Sequence, residues 1–156
     1  MITQGELALD TARSRQSGQN AGGIARGVCR LMLAMDCVPL AEFPLSSGRR
    51  ADILALDRRG GFVLVEIKSS LADFRGDQKW PEYLPHCDRF YFAVAGEFPR
   101  EELPQDVGII LADSFGAECL RDAPVSAMPV GLRRKQTLRF ARIAGNRLRY
   151  LHEPAL

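Results

Sequence analysis

At 156 residues the chain has the length of one domain with a sizeable core, and its 46% hydrophobic and 26% charged residues are ordinary for a globular protein. No apolar run approaches the roughly 20 residues of a membrane span, and Met1 to Asn20 lacks the apolar core of a signal peptide. Net charge is only +2, but the seven basic residues between Arg133 and Arg149 stand without an acidic one, so that stretch carries +7 on a body carrying −5. These features point to a cytoplasmic protein with a flexible segment over residues 1–20 and a single domain over 21–156. Cys29, Cys37, Cys87 and Cys119 are scattered, without zinc-site spacing, and read as reduced thiols.

Ile24, Val28, Leu31, Met32 and Met35 share one face of a helix predicted from Gly23 to Asp36, with Arg26 and Arg30 off that face. Cys37 to Leu45 reads as a first strand, an edge or irregular one because Pro39 and Pro44 interrupt it. Arg50 to Asp57 and Gly61 to Lys68 are the clearest strands, joined as a hairpin. A three-residue loop Arg59-Gly60-Gly61 sets Asp52 opposite Lys68, with Glu66 as its diagonal neighbour on the same face. Ser70, with Asp73 three residues on, caps a helix that runs to about Lys79 or Trp80 and stops at Pro81. Strands follow at Asp88–Ala95 and Val107–Ala112, then a short helical or strand element at Ala117–Leu120. The last helix is predicted over Leu132–Ile143. The fold class is α/β, a mixed sheet flanked by helices.

Asp52, Glu66 and Lys68 interrupt apolar strand runs. Burying such charges unpaired costs several kcal/mol, so their presence in core strands calls for a chemical reason. Two carboxylates and the Ile67 carbonyl offer the hard oxygens that Mg²⁺ or Mn²⁺ prefers. Lys68 would place a cation where negative charge grows on a phosphate. Glu42, on the preceding strand, is a further candidate ligand or orienting group. Arg75, Gln78 and Lys79 are candidates for contact with nucleic acid, as are Arg133, Arg134 and Lys135 in the basic stretch. The bland alternative is a solvent-facing Glu-x-Lys pair, worth under about 1 kcal/mol. Trp80, Tyr83 and Tyr91 read as packing residues rather than stacking platforms.

Asp52 followed by Glu66-Ile67-Lys68 resembles the PD-(D/E)XK nuclease superfamily, with Ala51 where its motif has Pro, and with Arg26 and Arg30 on a first helix that often carries an acid. The resemblance implies an αβββαβ restriction-endonuclease-like core. Longer strings are similar to the MmcB family of bacterial DNA-repair proteins: Gly48-Arg49-Arg50-Ala51-Asp52, Val65-Glu66-Ile67-Lys68-Ser69-Ser70, Lys79-Trp80-Pro81-Glu82-Tyr83, and Cys87-Asp88-Arg89-Phe90-Tyr91-Phe92. That resemblance implies a DNA-damage-response protein acting on DNA, with repair proteins as further partners. The expected activity is Mg²⁺-dependent endonucleolytic cleavage of DNA. The rival is a non-catalytic module that keeps the fold to bind DNA or a repair partner.

Overall fold

The computed structural model describes residues 20–155. Most of the segment expected to be flexible, residues 1–19, lies outside the described residues, as does Leu156. Helix α1 spans Ala21–Ala34 and begins two residues earlier than predicted, because the Asn20 side chain accepts the Gly23 N–H at 2.8 Å. Its stripe of Ile24, Val28 and Met32 is fully buried. Gly27 has a reason to be glycine: a Cβ there would stand 2.1 Å from the Asp113 carbonyl oxygen and 2.4 Å from that of Gly116.

Six strands form one sheet in the order β1-β2-β3-β4-β5-β6. They are β1 Cys37–Pro44, β2 Arg50–Asp57, β3 Phe62–Lys68, β4 Arg89–Val94, β5 Gly108–Ala112 and β6 Ala117–Arg121. Strands β1, β2 and β3 pair antiparallel, β3, β4 and β5 parallel, and β6 antiparallel to β5. Between β3 and β4 lie α2, Leu71–Gly76, and a 3-10 segment, Trp80–His86. A second 3-10 turn, Arg100–Glu102, precedes β5, and α3, Val130–His152, closes the chain.

The β2–β3 turn is displaced by one residue from the expected loop. Asp57 Oδ1 accepts the N–H groups of Arg59 and Gly61 at 2.7 and 2.8 Å, which makes Arg58-Arg59-Gly60 the loop, with Gly60 at φ +86°. Leu54 then faces Leu64 and Leu56 faces Phe62, so continuation of the register sets Asp52 opposite Glu66 rather than Lys68. The shift moves the pairing by two residues, so the carboxylates keep their shared face.

Two helices also differ from expectation. The helix after the motif ends at Gly76; Asp77 is extended, and Pro81 starts the 3-10 segment instead of stopping a longer helix. Helix α3 runs to His152 through Gly145, well past Ile143. Side-chain contacts hold it down: Gln136 to the His86 carbonyl at 2.6 Å, Arg139 to that of Pro44 at 2.7 Å, and Arg147 to those of Ala41 and Glu42 at 2.6 and 2.9 Å.

The sheet is covered on both sides. Leu54, Phe62, Leu64, Phe90 and Phe92 pack beneath Phe74 of α2, Tyr83 and Phe140 of α3. Ile53, Val63, Val65, Ile67, Tyr91 and Ala93 pack beneath α1. Trp80 and Tyr83 stack on Phe90 at 5.6 and 6.3 Å, which makes them packing residues, as Tyr91 also is. All four cysteines are free, and burial pushes the Cys87 thiol up to about 12. No helix among the described residues is long and apolar enough to cross a membrane.

Asp88 joins four parts of this fold. Its Oδ2 accepts the Phe62 N–H at 2.8 Å, its Oδ1 accepts the Met128 N–H at 3.0 Å, and the Arg133 guanidinium grips both oxygens. Burial pushes this carboxyl up, but Arg133 and the two N–H groups outweigh it and hold it below its ordinary value. Asp88→Ala is expected to lower the unfolding free energy by about 3–5 kcal/mol at pH 7, since it orphans Arg133 and two backbone donors. The gap to wild type should narrow as pH falls through the depressed pKa, because the ionised form carries the stabilisation. Urea unfolding at pH 7 and pH 3 checks both; a gap under about 1 kcal/mol at pH 7 refutes the clamp.

Candidate active site

Strand β3 is buried on both faces from Phe62 to Lys68. Its odd-numbered residues face α1, and its even-numbered ones face α2 and α3. Glu66 and Lys68 therefore share a face with Asp52, and both are nearly closed to solvent, 6% and 3% exposed. The β2–β3 ladder ends at Ile53–Val65. Two positions on, the Ile67 N–H bonds to Asp52 Oδ2 at 2.8 Å instead of to a β2 carbonyl. In a strand, a residue's carbonyl points to the same side as its N–H, which sets the Ile67 carbonyl beside Asp52.

These groups line a cavity of about 500 Å³ at the end of the sheet, with Glu42, Asp73 and Asp77 on its wall and Ala21 and Gly22 of α1 at its margin. Burial is the main force on both carboxyls. It raises Asp52, against the pull of the Ile67 N–H and Lys68. It raises Glu66 to about 8, helped by the Asp52 carboxylate and opposed by Lys68 and the Asp52 N–H. Glu66 Oε2 is buried with no hydrogen-bond partner among the described residues. Lys68 Nζ lies 3.5 Å from Asp77 Oδ2, and Asp77 sits below its ordinary value, chiefly because the Lys79 N–H bonds to it.

A half-buried and a buried carboxyl, one oxygen unpartnered, and a strand carbonyl beside them form a hard-oxygen set that fits Mg²⁺ or Mn²⁺. Glu42 does not complete a triad. It stands across from Asp52 in the β1–β2 register, but its backbone turns to φ +49° and its exposed carboxylate lies 3.8 Å from Arg50. Among the described residues no three His, Cys, Asp or Glu side chains are grouped to hold a metal ion.

The expected nucleic-acid contacts divide. Gln78 donates to the Phe74 carbonyl at 2.5 Å, and Arg75 lies 3.3 Å from Glu102, so neither faces the cavity. Lys79 is exposed. Arg133 is committed to Asp88 and to the Gly60 carbonyl at 2.8 Å, which corrects its assignment as a phosphate contact. Gly60 lies in the turn before β3, six residues from Glu66 and so at most roughly 20 Å away at strand spacing. Arg134 and Lys135, beside it in sequence, are exposed with no ion-pair partner among the described residues. Sequence reasoning misses Asp77, which looks like a solvated charge; its signal is Gly76, which ends α2 and frees the next residue to turn inward. Asp73 likewise works locally, its N–H on Ser70 Oγ and its Oδ2 on the Ser69 N–H, both at 3.1 Å.

A helix, a three-stranded meander, a second helix and a parallel strand, with acidic groups where β2 and β3 part, define the restriction-endonuclease-like class. The model of the family described as DNA repair protein MmcB-like matches residues 8–155, and the chain belongs to that family, which gives it a role in DNA repair. Among solved structures it is similar to the SPO1766 protein of unknown function from Silicibacter pomeroyi, at 40% identity and a TM-score of 0.81, over 88% of this chain and 92% of that one. No curated protein matches the chain.

The raised Glu66 pKa has a thermodynamic sign. The unfolded chain loses the Glu66 proton near its ordinary pKa of 4.5 and the folded one near 8, so metal-free stability falls as pH rises across that window. Glu66→Gln should therefore melt higher than wild type at pH 9 without metal, by roughly 2–4 °C for each kcal/mol relieved, and equal it at pH 4. Mg²⁺ should raise the wild-type Tm more at pH 8 than at pH 6 and leave the variant unchanged. Equal melting of both proteins at pH 9 refutes the raised carboxyl.

Proposed function

We propose that this chain is a metal-dependent deoxyribonuclease of DNA repair. The observation that carries the reading is the same-face set of half-buried Asp52 with buried Glu66 and Lys68, and Glu66 Oε2 unpartnered at the wall of an open cavity. Asp52, Glu66 and the Ile67 carbonyl would hold Mg²⁺ or Mn²⁺. When bound, such an ion lowers the pKa of a coordinated water and offsets charge on a phosphate.

The protein's own groups do the rest. Glu66 gives up its proton to take the cation, which ties metal affinity to pH up to about 8. Asp52, held by the Ile67 N–H, keeps a fixed orientation beside it. Lys68, closed to solvent, holds its ammonium against Asp77 on the cavity side; moved onto a scissile phosphate, it stabilises the charge that grows in the transition state. Tyr83 fixes the start of β2 through its hydroxyl on the Arg50 carbonyl at 3.2 Å, and Arg49 lies over its ring.

The purified chain, offered single-stranded, duplex, flap, fork and crosslinked DNA with Mg²⁺ or Mn²⁺, is expected to cut at least one of them. Lys68→Ala should reduce cleavage by about 100-fold or more while binding stays nearly intact, because the lysine acts mainly in the transition state. A wild-type protein that binds DNA and cuts nothing would be the non-catalytic module instead.

Phosphate binding by the basic helix has its own test. Arg134, Lys135 and Arg142 are exposed, so replacing all three by Ala should leave stability within about 0.5 kcal/mol each and weaken binding to all sequences alike. The salt dependence should flatten by up to about one unit of slope for each phosphate no longer neutralised. An unchanged slope removes α3 from the DNA surface.

A further inference from the structure

One large apolar side chain stands in open solvent near the rim of the sheet that carries the site. Phe115, 81% exposed, tips the turn between β5 and β6. The turn beneath it is braced. Asp113 Oδ1 accepts the N–H groups of Phe115 and Gly116 at 2.8 and 3.0 Å, and the Asp113 N–H donates to the Gly116 carbonyl at 3.0 Å. From α1, Arg30 Nη1 reaches the Phe115 carbonyl at 2.5 Å, and Gly27 lets the helix sit directly on the turn. A cavity of about 490 Å³ opens beside the ring, with Gly96, Leu111 and Glu118 on its wall.

Two independent paths relate the turn that carries this ring to the active-site cavity. Across the sheet, Lys68, Val94 and Leu111 share one level of the parallel strands. Asp113 is therefore two strands over and two residues beyond Lys68, which is about 12 Å at strand spacings. Along α1, Gly22 borders the active-site cavity and Arg30 binds the turn. Those eight residues also span about 12 Å. Gly22, Arg26 and Arg30 follow one another at four-residue steps, so they form one ridge of the helix. Arg26, midway along it, is exposed with no ion-pair partner among the described residues.

We infer that this ridge is the track of the substrate strand: Arg26 meets a phosphate, and Phe115 stacks on an unpaired base roughly 16–20 Å from Glu66 and Asp52 at strand spacings. The inference rests on the nuclease reading and names its substrate class, DNA with an unpaired segment beside the scissile phosphate. The chemistry dictates that choice. In an intact duplex both faces of each base are covered by neighbours, so a rigidly mounted ring finds a free face only where the strand is unpaired or the stack ends. Glu66 lies two residues short of Lys68 and Asp52 one strand further, so the distance corresponds to about five or six steps at the roughly 3.4 Å spacing of one strand.

Fluorescence anisotropy of the full chain on a labelled single strand, a fork with single-stranded arms and a covalently closed, fully paired duplex circle tests it, in EDTA so that nothing is cut. Phe115→Ala is expected to weaken binding to the strand and the fork by roughly five- to a hundred-fold, the loss of one base–aromatic stack, and to leave the closed duplex within about twofold. Phe115→Trp should restore the loss, and Arg26→Ala should flatten the salt dependence by about one unit of slope. Unchanged affinity of Phe115→Ala for the fork overturns the inference. So does an equal loss on the closed duplex, or a shift in oligomeric state with DNA affinity intact, which would make Phe115 a protein contact. Cleavage by wild type together with an indifferent Phe115→Ala sinks only this inference. Binding with the predicted preference but no cleavage supports it and sinks the nuclease activity. Wild-type protein with no affinity for any of the three DNAs overturns both.

Discussion

The bond from the Ile67 N–H to Asp52 Oδ2 is the constraint on which the site depends. A backbone donor buried in a sheet must find an acceptor, and the usual one is the next strand's carbonyl. Here a carboxylate takes that place. The β2–β3 ladder stops, and the sheet opens at the level of Glu66 without leaving a donor unmade. One interaction thus orients Asp52, ends a strand pairing and opens the cavity wall. The site is built into the sheet rather than mounted on a loop, so its geometry is as rigid as the core beneath it.

Rigidity there has an electrostatic cost. Two carboxyls driven up by burial, with a lysine closed to solvent beside them, are a poor way to stabilise a domain, and that is what favours the proposed cation site. Lys68 offsets part of the repulsion, and Asp77 keeps its ammonium from being left alone. The remaining imbalance sits on the unpartnered Glu66 oxygen. The unbalanced buried carboxyls thus sit at one end of β3, while the opposite end, around Asp88 and Arg133, is tightly paired.

The face shared by Asp52, Glu66 and Lys68 is legible in the sequence because strand alternation depends only on parity. A turn displaced by one residue changes which residue stands opposite Asp52 and leaves the carboxylates on one side. The displacement itself comes from the Asp57 side chain, whose two backbone bonds compete with a glycine-led loop. Helix α3 is longer than its local pattern suggests, since Gly145 and Asn146 look like an ending. Bonds to carbonyls roughly a hundred residues away in sequence, invisible to local pattern, carry it through. Charge is the least legible quantity. The basic stretch mixes free cations such as Arg134 with side chains such as Arg133, Arg139 and Arg147 that work inside the fold, and composition cannot separate them.

The arginine bonds from α3 to β1 also cover an edge of the sheet. Strand β1 is one of the two edges of the sheet, and an unpaired edge invites another chain to add a strand. Pro39 and Pro44 remove two donors from it, and Glu42 at φ +49° bends it. Arg139 and Arg147 occupy the carbonyls of Pro44, Ala41 and Glu42. The helix is a guard rail as much as a part of the core. A chain cut within α3 would lose that guard and present an open strand, so its first failure would be aggregation through β1.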